Sequence, residues 1–99
     1  MRPIHVARLD KARPVLVLTR ALVRPHMNTV TVAPITTTIR GLSTEIQLGI
    51  ANGLDAPSVV ACDHVTTIPA ATLGRQIGHL LDEQEARLTE AIHAAFDLD

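Results

Sequence analysis

The run Pro14-Val15-Leu16-Val17-Leu18-Thr19 decides the fold class. It is continuously apolar and rich in β-branched residues, too short for a buried helix, and starts with a proline where a missing N–H does least harm, so it reads as a buried strand. Working outward, Ile4-His5-Val6-Ala7-Arg8-Leu9 alternates as a half-buried strand before it, and Thr29-Val30-Thr31-Val32-Ala33-Pro34-Ile35-Thr36 follows as another. Pro34 predicts a sheet edge or a bulge near the end of that third strand. Further short strands are expected over Thr44–Leu48, Ser58–Cys62 and Val65–Ile68, the last ending at Pro69, with a turn-rich loop through Asn52-Gly53 and Asp55-Ala56-Pro57. A helical turn is expected over Ala70–Leu73 and a final strand near Gln76–Leu80. Helical spacing occurs only at the end, where Leu88, Ala91, Ile92, Ala95 and Phe96 share one face behind a capping-box pattern of Asp82 and Glu85.

The 99 residues are therefore expected to form a single domain, residues 1–99, of the mainly β (α+β) class: a small barrel of six or seven strands with one C-terminal helix. Barrel-like closure would protect the edges of so many short strands. The composition, 46% hydrophobic and 19% charged, excludes a disordered chain or a coiled coil. Absence of any apolar run near the length of a membrane span, and a single cysteine, Cys62, fit a soluble protein of the reducing cytoplasm.

A formal net charge of -1 conceals a strong asymmetry. Residues 1–40 carry seven basic side chains against Asp10 alone, whereas the remainder carries two against nine acids. Eight of the nine basic residues are arginine, whose planar fork of donors matches phosphate oxygens. With Phe96 the only aromatic, there is no Phe/Tyr/Trp platform on which bases could stack, so a nucleic acid would be held by phosphate, sugar and base edges, or by stacking on Arg and His.

Familiar catalytic templates are missing. The five histidines are scattered without metal-ligand spacing, Cys62 sits in an apolar run, and there is no glycine-rich phosphate loop or nucleophile elbow, so no metal or cofactor is expected. Two features remain: Arg13 directly before the buried strand, and Pro34-Ile35-Thr36-Thr37-Thr38-Ile39-Arg40-Gly41, which puts three hydroxyls and a guanidinium where a strand enters a turn.

Those stretches carry a resemblance. Arg-Pro-Val-Leu-Val-Leu from Arg13, then Thr-Val-Ala-Pro-Ile-Thr-Thr-Thr-Ile-Arg-Gly ending at Gly41, Thr44-Glu45-Ile46, and Ser-Val-Val-Ala-Cys-Asp-His-Val-Thr-Thr-Ile from Ser58 resemble the MazF/PemK family of toxin endoribonucleases, in that family's order and spacing. The resemblance covers essentially the whole chain and implies an SH3-like, CcdB/PemK-like β-barrel. It further implies a homodimer, metal-independent and sequence-selective cleavage of single-stranded RNA, and inhibition by a cognate MazE-like antitoxin. Arg13 and Thr36 match the family's catalytic pair; Lys11, Thr37, Arg40 and His64 are the implied RNA contacts. The chain departs from the pattern at its opening, Arg2-Pro3-Ile4-His5-Val6, which lacks an aromatic, and in having only Asp10-Lys11-Ala12 where relatives carry a longer loop before Arg-Pro. It also ends at Phe96-Asp97-Leu98-Asp99, shorter than some relatives. Two alternatives stay open on the residues alone: an RNA- or antitoxin-binding homologue without catalysis, and a CcdB-like toxin that poisons a topoisomerase. The second relies on a Trp-Gly-Phe ending, which this chain lacks.

Overall fold

The computed structural model describes residues 2–98, so the final residue of the Phe96–Asp99 ending lies outside the described residues. The strands are β1 (Pro3–Arg8), β2 (Ala12–Val17), β3 (Thr29–Thr36), β4 (Glu45–Leu48), β5 (Ser58–Ala61), β6 (Thr66–Pro69) and β7 (Leu73–His79), followed by helix α1 (Glu85–Ala95). They form one antiparallel sheet in the order β4-β5-β3-β2-β1-β7, with β6 also pairing with β3.

The Val15–Val17 half of β2 is apolar because both its faces are covered. Leu16 joins Ile4, Ala33, Ile35, Ile46, Val60 and Leu80 in the main core, on which α1 lays Leu88 and Ala91. Val15 and Val17 point the other way, to Ala7, Val30, Val32 and Ile68. Burial of each such large aliphatic side chain contributes roughly 1.5–3 kcal/mol, which makes β2 the strand shared by two cores.

Pro34 lies at neither an edge nor a bulge. β3 is central, held on one side by β2 and on the other by two partners in succession: Thr29–Val32 pair with β6, whereas Ile35 and Thr36 pair with β5. Pro34 falls between those two ladders, where a missing N–H costs no bond on that side. β2 starts two residues before the expected boundary because Ala12 and Arg13 pair with Arg8 and Ala7 of β1. The β2–β3 ladder covers only Val15–Val17, so Arg13 and Pro14 have a strand neighbour on one side alone. β7 is longer than expected and starts at Leu73, directly after a 3-10 turn over Ala70–Thr72.

The hydrogen-bonded order ends at β4 and β7, and a turn closes the space between them. In the Ile50–Asn52 turn, buried Asn52 donates to the His79 carbonyl at 3.1 Å and to Gln84 Oε1 at 2.7 Å, while its Oδ1 accepts from the Gly49 N–H. Gly53 (φ 87°) and Gly78 meet here so closely that a Cβ on either would overlap the carbonyl oxygen of Ile77 or Asn52 respectively.

The cap of the helical region differs from the expected Asp82/Glu85 pair. Gln84 Oε1 accepts from the Leu81 N–H at 2.9 Å, ahead of a 3-10 turn over Asp82–Gln84, and Glu85 instead pairs with Arg2 Nε at 3.3 Å. Asn52 and Leu81 share the Gln84 oxygen, so the cap is also a tertiary contact.

Candidate active site

Arg13 and Thr36 come from neighbouring strands and meet at the wall between two surface clefts. One is a cleft of about 360 Å³ lined by Asp10, Arg13, Thr36, Thr38, Arg40 and His64 among others. A second cleft of about 370 Å³ lies beside it, lined by Lys11, Arg13, Thr36, Thr37, Thr38 and Ser58. All six residues expected at the site therefore lie in these clefts, with Lys11 and Thr37 confined to the second and Arg40 and His64 to the first.

The Arg13 guanidinium is oriented by the turn that precedes it. Its Nε donates to Asp10 Oδ1 at 2.8 Å and its Nη2 to Asp10 Oδ2 at 3.0 Å, a bidentate fork that fixes the guanidinium plane. Hydrogen bonding to Arg13 holds the Asp10 carboxyl well below the usual carboxylate range, and the same pair raises the Arg13 pKa further. Arg13 is thus a permanent cation whose Nη1 protons take no part in this fork.

Thr36 is the last residue of β3, opposite Val59 of β5. Its hydroxyl oxygen accepts the Thr38 N–H at 3.1 Å, which leaves the hydroxyl proton available to donate to a substrate oxygen. Arg40 and His64 are exposed, and His64 sits in the 3-10 turn Cys62–His64 beyond β5. Cys62 is enclosed in the main core, and burial pushes its thiol up to about 11, so it is a neutral apolar group rather than a nucleophile.

Four contributors were not singled out from sequence. Asp10 could have been found, since a carboxylate three residues before an arginine across a tight turn is in reach. Thr38 belonged to the recognised hydroxyl cluster without being singled out. Glu45 lies in an alternating strand where period two predicts exposure, yet it is 8% exposed and accepts the backbone N–H groups of Arg40, Gly41 and Leu42. Arg87, on α1, donates to the Ser43 and Glu45 carbonyls, both at 2.8 Å. Only the folded loop shows these last two roles.

Among the described residues, no cluster of three or more His, Cys, Asp or Glu side chains could hold a metal ion, and no helix is long and apolar enough to cross a membrane.

Residues 4–96 match the family described as PemK-like, MazF-like toxin of type II toxin–antitoxin system. The chain belongs to this family. Among MazF-like relatives, endoribonuclease MazF3 of Mycobacterium tuberculosis is 67% identical over 99 residues, all of this chain and 96% of the relative. Probable endoribonuclease MazF2 of the same species is 40% identical over 80 residues, 80% of this chain and 76% of the relative. The M. tuberculosis toxin MazF-mt6 superposes with a TM-score of 0.98 at 66% identity over 99% of both chains. A mycobacterial endoribonuclease bound to its cognate antitoxin superposes at 0.88 with 22% identity, covering 98% of this chain and 93% of that one, a likeness of fold. The barrel with its C-terminal helix is thus the MazF fold.

Proposed function

We propose that this MazF-like toxin is a metal-independent endoribonuclease that cuts single-stranded RNA at the cleft holding Arg13 and Thr36. The observation that carries the reading is the convergence of an always-charged guanidinium and a free hydroxyl donor, from two adjacent strands, on one solvent-open wall. In the proposed reaction the ribose 2′-oxygen bonds to the adjacent phosphorus while losing its proton. The P–O5′ bond breaks, and the departing 5′-oxygen takes up a proton, leaving a 2′,3′-cyclic phosphate and a 5′-OH. Negative charge grows on the non-bridging oxygens in between, and preorganised donors aimed at them lower the barrier. Arg13 supplies the charge and Thr36 a second hydrogen bond; Lys11, Thr37, Arg40 and His64 hold flanking nucleotides.

The protein acts in the cytoplasm as a homodimer, and a MazE-like antitoxin silences it by laying an acidic, apolar segment across Arg13 and Thr36. The test is incubation of the purified protein with a long single-stranded RNA in excess EDTA, with the ends mapped. Cleavage to 5′-OH and cyclic-phosphate ends is expected. Intact RNA, or activity that returns only with added zinc or manganese, overturns the proposal.

A further inference from the structure

We infer that Glu45 is a positioning residue that sets the direction of Arg40 in the cleft, an inference that rests on reading that cleft as the RNA site. Its Oε1 accepts three consecutive backbone N–H groups, from Arg40 at 3.1 Å, Gly41 at 2.9 Å and Leu42 at 3.1 Å, and its Oε2 lies 3.4 Å from the Arg40 nitrogen. A buried carboxylate with donors converging on it in this way makes the loop fold around the anion. Gly41 supplies the left-handed turn (φ 73°) that lets neighbouring N–H groups point to one oxygen. From beneath, Arg87 Nη2 ties the Ser43 and Glu45 carbonyls to α1.

The segment so pinned is a partition. Leu42 and Glu45 line the cleft that contains Arg13 and Thr36 and also a separate cleft of about 350 Å³ bounded by Gln84 and Arg87. Arg40 sits on this partition, facing the first cleft. No hydrogen bond or ion pair engages its guanidinium among the described residues, which leaves its charge for an RNA phosphate. Glu45 touches no substrate; it decides where that charge points.

The test compares wild type, Glu45→Ala, Glu45→Gln, Arg40→Ala and the Arg40→Ala/Glu45→Ala double variant on a long mixed-sequence RNA, following the most-cut site. Glu45→Ala is expected to raise KM about tenfold with kcat changed less than about threefold, since lost positioning of a phosphate contact weakens binding rather than the chemical step. Glu45→Gln keeps an oxygen for the N–H cluster and should stay nearer wild type. The double variant should be no worse than Arg40→Ala, because both changes remove one contribution. If Glu45→Ala does not fold, Gly41→Ala replaces it: a Cβ there meets nothing within 4 Å, so it strains the loop without crowding the core, and KM should again rise. Unchanged KM in the folded variants, or full additivity with Arg40→Ala, overturns the inference. Wild type that fails to cut RNA at all instead overturns the reading of the site.

Discussion

A guanidinium held by both oxygens of a carboxylate on the preceding turn has little freedom to swing away from a substrate, so the Arg13–Asp10 fork acts before RNA arrives. Arg13→Ala is expected to lower kcat by on the order of 10²–10³ while the protein still melts cooperatively, and Thr36→Ala to lower it less, because a neutral hydroxyl is the weaker donor. Near-normal cleavage by folded Arg13→Ala would remove the mechanism. Cys62 gives a second test at this scale. Its folded-state pKa, about 11, lies above the unfolded value of 9.0, so its contribution is complete below pH 9 and is lost as pH rises through 11. The loss is on the order of 3 kcal/mol. Melting temperature should fall over that window, and Cys62→Val should flatten the fall; an identical alkaline fall in the variant would show that another group causes it.

Among the elements, the contact between the Ile50–Asn52 turn and β7 is the least tolerant of added bulk. Gly78→Ala forces a methyl group into the Asn52 carbonyl, so a loss of about 1–3 kcal/mol is expected, read in a denaturant or thermal melt as a shift of several degrees or more. A melt unchanged by Gly78→Ala would mean that this seam opens freely. The strand alphabet was legible because its periodicity is local: β3 occupies the expected residues 29–36, and every expected strand exists within a few residues of its boundary. Pro34 misled because its sequence position cannot reveal that β3 changes partner at that point. The cap failed for a similar reason, since Gln84 answers to Asn52, some thirty residues away, rather than to Asp82. Arg13 and Thr36 were proposed from their motifs and share a cleft wall in the fold, whereas Glu45 and Arg87 could not be picked out, because what they hold is backbone arranged only by folding.

For the whole molecule, the basic first forty residues and acidic remainder set how partners approach. RNA held through Lys11, Arg13 and Arg40, as proposed, would release counterions on binding, so RNA affinity should drop steeply between low and physiological salt. The proposed antitoxin segment is expected to compete with RNA, and light scattering at micromolar concentration should give twice the mass of the 99-residue chain. A monomer, or a ternary complex with uncut RNA in the same cleft, would remove the respective claim. The tie from Arg87 to the cleft partition has a consequence for synthesis. The proposed catalytic pair, Arg13 and Thr36, is made early in the chain, but the residue that braces the wall beside it comes from the terminal helix, and β7, which closes against β1, also comes late. While the ribosome still shelters those last residues, the emerging chain holds its reactive groups without a finished enclosure around them. A toxin assembled in that order is expected to grip RNA at full strength only once its terminal helix has emerged and docked.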